Sequence, residues 1–229
     1  MCTVSVVPAR DGFRLVANRD ERRTRANALL PRAHWCGGHR AVWPVDLQGG
    51  GTWIAVNEAG LAAAILNRRC GVAEPDGRLL TTRGVLVPRV MNAPDIPAAL
   101  DALAWTLRTP AFAPFTLLLV RRGEYTVAAY DGSGLQITRG ELRVPVMLTS
   151  SSLGDDVVSQ PRADLFRRLV LSSTRPLLGQ VHFHRHQWPD KPHVSVRMSR
   201  PDAATVSVTA ISVGPRGARL SYVTIQDPA

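Results

Sequence analysis

Cysteine, lysine and long apolar runs are all scarce in these 229 residues. The three cysteines, Cys2, Cys36 and Cys70, are an odd number without framework spacing, so a disulfide scaffold is excluded and reduced thiols are expected. No apolar run nears the ~18 residues of a membrane-spanning helix. Arg10 and Asp11 interrupt the apolar start, against a secretory signal, and a cytoplasmic location is the expectation. Lysine occurs once, at Lys191, although the formal net charge is +10. The arginines are scattered in pairs such as Arg22-Arg23, Arg121-Arg122 and Arg167-Arg168 rather than gathered on one helix. No helix-turn-helix, zinc-finger or aromatic RNA-binding pattern accompanies them, so no specific nucleic-acid partner is expected. Gln48-Gly49-Gly50-Gly51-Thr52 lacks the Gly-Lys-Ser/Thr of a phosphate loop and reads as close backbone packing before a strand. Ser150-Ser151-Ser152 and Gly132-Ser133-Gly134 lack the nucleophile-elbow pattern and read as loops.

What is present begins with size. With 45% hydrophobic residues the chain can bury a proper core, and residues 1–229 read as a single domain. Thr3 to Val7 and Phe13 to Ala17 form two apolar strands around the turn residues Pro8 to Gly12, a hairpin. Thr52 to Val56 and Leu61 to Leu66 read as further strands. Thr81 to Met91 and Pro97 to Leu107 show helical apolar spacing, with Pro97 suited to a helix start. A meander follows in Phe115 to Val120, Tyr125 to Tyr130, Leu135 to Thr138 and Val144 to Thr149. Pro161 to Ser172 reads as a helix, and Val194 to Met198, Thr205 to Val213 and Leu220 to Ile225 read as closing strands. Helices set between runs of sequential strands predict an α+β layered fold with mostly antiparallel sheets. Arg22 to Gly51 is the least regular stretch, long enough to cover a site or to hold short structure of its own.

Cys2 carries the chemistry. Removal of Met1, which a small second residue generally allows, leaves a chain that opens on a thiol and its own α-amine. The amine titrates near ~7.7 to 8.0 and a free thiol near ~8.5, so one residue can hold both nucleophile and base. The hairpin returns Asn18-Arg19-Asp20-Glu21 to the neighbourhood of Cys2. An arginine there favours the thiolate, and a carboxylate orients the arginine or the amine. Side chains alternate along a strand, so Arg19 and Glu21 share one face and Asn18 and Asp20 the other. Both faces cannot point at the cysteine.

The six histidines fall in two patches. His182, His184 and His186 alternate with Phe183 and Arg185, so on a strand their imidazoles would point one way, as a metal- or haem-facing surface requires. The alternative is an exposed loop, for which Gln187, Pro189, Asp190 and Pro192 speak. His34, Cys36 and His39 form the second patch. Neither patch has Cys-x-x-Cys or His-Glu-x-x-His spacing, and no metal site is assigned.

Met1-Cys2 with its hairpin, Ala17-Asn18-Arg19-Asp20-Glu21, Gly50-Gly51-Thr52-Trp53 and Gly60 to Asn67, ending in Leu66-Asn67-Arg68, resemble the NRDE family, which includes transport and Golgi organization protein 2. Leu148-Thr149-Ser150 sits where relatives tend to have Leu-Thr-Asn, and Arg200-Pro201-Asp202-Ala203-Ala204-Thr205-Val206 looks like the family's carboxy-terminal strand entry. The resemblance implies an amino-terminal-nucleophile hydrolase fold, a four-layer αββα sandwich of two antiparallel sheets. More distantly, the chain resembles cysteine acylases that cleave penicillin V and conjugated bile salts. Carried over by motif, Cys2 is the nucleophile, Arg19 and Asp20 its electrostatic partners and Asn67 an oxyanion donor; Arg197 is a further candidate. The order Asn18-Arg19-Asp20-Glu21 departs from the acylases' Arg-Asn-x-Asp, so which acid serves is open, and Ser150 stands where an oxyanion asparagine is expected. The implied activity is hydrolysis of a small-molecule amide without a cofactor. The alternative is a non-catalytic binding protein for haem or lipid on the same fold.

Overall fold

A computed structural model describes residues 2–68, 80–109 and 111–225; Arg69 and Cys70 lie outside them. Among the described residues twelve strands form two sheets. The first is built on the hairpin of β1 (Cys2–Ala9) and β2 (Gly12–Arg22), flanked by β10 (Val146–Ser150), β11 (Ala203–Gly214) and β12 (Gly217–Thr224) in the order β10-β1-β2-β11-β12. The second runs in chain order through β3 (Leu29–Cys36), β4 (His39–Val45), β5 (Ile54–Asn57), β6 (Ala62–Asn67), β7 (Phe115–Arg121), β8 (Glu124–Tyr130) and β9 (Leu135–Glu141). All neighbouring strands are antiparallel. The expected α+β sandwich is the observed architecture.

The sheets face each other across one apolar core, in which Val4, Val6, Leu15 and Ile211 of the first meet Ile54, Ala64, Leu117 and Leu119 of the second. That core continues to α1 (Leu86–Val90) and α2 (Ile96–Thr106) through Leu86, Val90, Ala99 and Leu103. On the outer face of the first sheet, α3 (Asp155–Phe166), a π-helical turn at Arg167–Leu171 and α4 (Pro176–Arg185) bury a second cluster of Leu165, Phe166, Val170 and Phe183 against Val7 and Val196. Asp95 caps α2, its carboxylate accepting from the amide of Ala98 at 2.9 Å. Among the described residues no helix is long and apolar enough to cross a membrane.

The stretch Arg22 to Gly51, expected to cover a site or to hold short structure of its own, does hold structure, the hairpin β3–β4. Several elements depart from the sequence reading. The helix expected from Pro161 begins at Asp155, with Pro161 inside it. Val194 to Met198 is no strand: a 3-10 turn spans Pro192–Val194, and the carbonyls of Val194, Ser195 and Val196 accept from the side chains of Arg162 and Asn18 instead of a neighbouring strand. The histidine-rich segment is α4 rather than a strand or loop. Its rings diverge: His182 is exposed, His184 is buried, and His186, just past the helix, packs edge-on to Trp188 at 4.8 Å. Among the described residues no group of His, Cys, Asp or Glu is arranged to hold a metal ion. Cys2 and Cys36 are free thiols.

Candidate active site

Pairing in the first sheet builds the site. Cys2 heads β1 with Arg19 opposite it on β2 and Ser150 opposite it on β10. Paired residues share a face, so the three side chains point toward the second sheet. There a cavity of about 350 Å³ opens, lined by Cys2, Arg19, Glu21, Arg25, Asp46 and Asn67, with Trp53, Ile65 and Thr82 among its other walls. The volume lies at the small end of ligand pockets.

Arg19 and Glu21 face the cavity; Asn18 points the other way and is consumed by structure, its amide donating to the carbonyls of His184 and Val196, both at 2.9 Å. Asp20 also lies off the cavity. It is buried, and Thr205 donates to its Oδ1 at 2.6 Å. Its charge acts on the nucleophile nonetheless, pushing the Cys2 thiol upward. A register shift between Thr205 and Ser207 sits opposite Asp20 and Arg19, the kind of bulge that re-aims side chains beside a site.

Burial, and next to it the charge of Asp20, pushes the Cys2 thiol above its ordinary value, against the opposing charge of Arg19. Burial likewise raises Asp20, opposed by the charge of Arg162 and the hydrogen bond from Thr205.

Asp46, between β4 and β5, was not found by sequence reading. Its Oδ2 accepts from Arg19 at 3.1 Å and Arg25 at 2.6 Å, and its Oδ1 from the amides of Gln48 and Gly49 at 3.1 and 3.2 Å. Burial alone would raise its pKa; the bonds from Arg25 and Gly49 and the charge of Arg19 outweigh it and hold the carboxyl below its usual range. Arg25 also pairs with Glu21 at 3.2 Å, and the Arg19 guanidinium lies 4.2 Å from the Trp53 ring centroid. The signal available in sequence was Asp46 two residues before Gln48-Gly49-Gly50-Gly51, an Asx-turn pattern. The glycines do pack closely: a Cβ at Gly51 would collide with the Gly84 carbonyl.

The other expected residues separate. Asn67 ends β6 exposed at the cavity wall. Ser150 is 3% exposed, and its Oγ has no hydrogen-bond partner among the described residues. Arg197 does not line the cavity; its backbone amide bonds His186 O at 2.9 Å behind the sheet. Also unforeseen, Arg162 of α3 is fully buried, its guanidinium donating to Thr3 and Thr149 hydroxyls at 2.8 and 2.6 Å and to the carbonyls of Val194 and Ser195 at 3.0 and 2.7 Å. Thr3 and Thr149 each adjoin the Cys2–Ser150 pair, so Arg162 ties β1 to β10 beneath the nucleophile.

Two facing antiparallel sheets with outer helices define the class of fold, a four-layer αββα sandwich like that of amino-terminal-nucleophile hydrolases. A nematode (Caenorhabditis elegans) N-acylethanolamine-hydrolyzing acid amidase ortholog superposes with a TM-score of 0.65 at 13% identity, covering 92% of each chain. Penicillin V acylase from Agrobacterium tumefaciens follows at 0.57 and 14%, over 98% of this chain and 86% of its own, and a mutant conjugated bile acid hydrolase from Clostridium perfringens at 0.54 and 11%, over 98% and 92%. At these identities the likeness is one of fold. The chain belongs to the Transport and Golgi organisation 2 family, whose model matches residues 1–169. No curated protein matches the sequence significantly.

Proposed function

We propose that the chain, freed of Met1, is a cysteine amidohydrolase acting on the non-peptide C–N bond of a small-molecule amide. The observation that carries this reading is Cys2 at the head of β1, at the wall of a cavity, paired across the sheet with Arg19. The fold shared with an amidase and two acylases supports it. The raised thiol fits a resting S–H whose proton passes to the neighbouring α-amine as sulfur attacks the carbonyl carbon. Asn67, at the cavity wall, and a backbone amide stabilise the oxyanion. The ammonium then returns the proton to the departing nitrogen, the C–N bond breaks, and water hydrolyses the thioester. Ser150 stands where an asparagine donor is expected and does not line the cavity, and losing one oxyanion donor costs on the order of 100 to 1,000 in turnover; a slow enzyme is expected.

Cys2→Ala is expected to abolish amide hydrolysis, read by release of the amine from N-acyl substrates, while leaving the folded state intact. Turnover that survives Cys2→Ala overturns the reading. Haem titration supplies the opposing outcome: a saturable Soret shift that survives Cys2→Ala, in protein without amidase turnover, favours a non-catalytic haem carrier.

A further inference from the structure

Arg19 and Arg25 donate to the same oxygen, Oδ2 of Asp46, so one carboxylate gathers two like charges at the wall that Cys2 shares. The other oxygen is tied to its own loop, whose ends close through Asp46 N to Gly51 O at 2.8 Å and Gly50 N to Asp46 O at 2.9 Å. That loop is anchored in turn, since Thr52 N bonds Gly84 O at 3.0 Å. The carboxylate is therefore presented in a fixed direction by the second sheet, toward an arginine on the first.

We infer that Asp46 is a positioning residue for the Cys2 site: it holds the Arg19 guanidinium on the face of Trp53, beside the sulfur, and neutralises the repulsion between Arg19 and Arg25. The inference rests on Cys2 being the reactive group, not on any particular substrate. Without the anion, Arg19 is left buried with Glu21, two residues along the same strand face, as its remaining carboxylate in the cavity. Turning toward Glu21 takes the cation away from Cys2.

The test is the pH dependence of Cys2 alkylation by iodoacetamide, followed by mass spectrometry of the amino-terminal peptide so that Cys36 and Cys70 do not interfere. Asp46→Asn is expected to slow alkylation at neutral pH by about threefold or more and to move the midpoint upward; Asp46→Glu falls between it and the natural protein. An unchanged rate and midpoint in Asp46→Asn means the residue is merely structural and overturns the inference. A faster rate overturns it too, since Asp46 then holds Arg19 off the sulfur. Should Asp46→Asn fail to fold, Asp46→Glu decides: a raised midpoint supports the role and an unmoved one contradicts it. Alkylation needs no turnover, so a failed hydrolase reading shows separately, as natural protein that alkylates at Cys2 yet hydrolyses no amide.

Discussion

The two faces of the first sheet carry polar clusters built from adjacent residues, and they differ in almost every property. Toward the second sheet, Arg19, Glu21, Arg25 and Asp46 are charged, linked by ion pairs and open to the cavity that Cys2 shares. Toward α4, Ser5, Asn18 and His184 are uncharged and sealed: His184 Nε2 lies 2.7 Å from Ser5 Oγ and its Nδ1 2.8 Å from Asn18 Oδ1. By distance alone the sealed cluster is a serine–histidine–asparagine relay. It has no access, and Gln180 occupies the remaining acceptors of Ser5. Geometry nominates a site; a cavity makes it one.

Substitutions should separate the faces, because the sealed side holds stability and the open side holds reactivity. The largest loss of stability is expected from Arg162→Leu. It strips donors from two hydroxyls and two carbonyls and removes the positive charge that acts on buried Asp20. Breaking such a buried network costs about 3–5 kcal/mol, read by denaturant unfolding. A loss below about 1 kcal/mol would show the face is not sealed.

His184→Ala comes next, at about 2–4 kcal/mol for a buried ring and its two side-chain hydrogen bonds. Burial, reinforced by the charges of Arg14 and Arg162, lowers His184 from an ordinary 6.5 to about 3. An unfolded histidine takes its proton near 6.5 while the folded one refuses it until about 3. The His184 contribution is thus complete above 6.5 and lost as pH falls toward 3, and the stability difference between natural protein and variant should shrink over that window. A difference independent of pH contradicts the burial of a neutral ring.

The smallest effect belongs to the open face. Glu21→Gln breaks a pair whose side chains are 22% and 28% exposed and should change stability by less than about 1 kcal/mol. A larger loss would erase the distinction between the faces.

Much of this was legible in sequence because β-strand alternation and hairpin return are local rules. They placed Arg19 and Glu21 together, set Asn18 against them and brought all of them to Cys2. Asp20 escaped those rules, since its side chain lies off the cavity yet its charge still acts on the thiol. Asp46 and Arg162 escaped for a different reason. Each acts across a layer boundary, one from the loop after β4 onto β2 and the other from α3 onto β1 and β10, and no spacing within one element reports such pairing. The histidines misled because an alternating i, i+2 pattern is silent about whether the backbone is strand or helix when the intervening residues, Phe183 and Arg185, suit both.

Everything functional depends on Cys2 acting as a nucleophile with its own amine free. Intact mass spectrometry after incubation with a thiol-directed acylating probe tests this most directly. The expected result is a chain lacking Met1 that gains one acyl group on Cys2 as a thioester, and gains none after Cys2→Ala. Protein with a confirmed free amino-terminal cysteine that stays unmodified under the same treatment would contradict it.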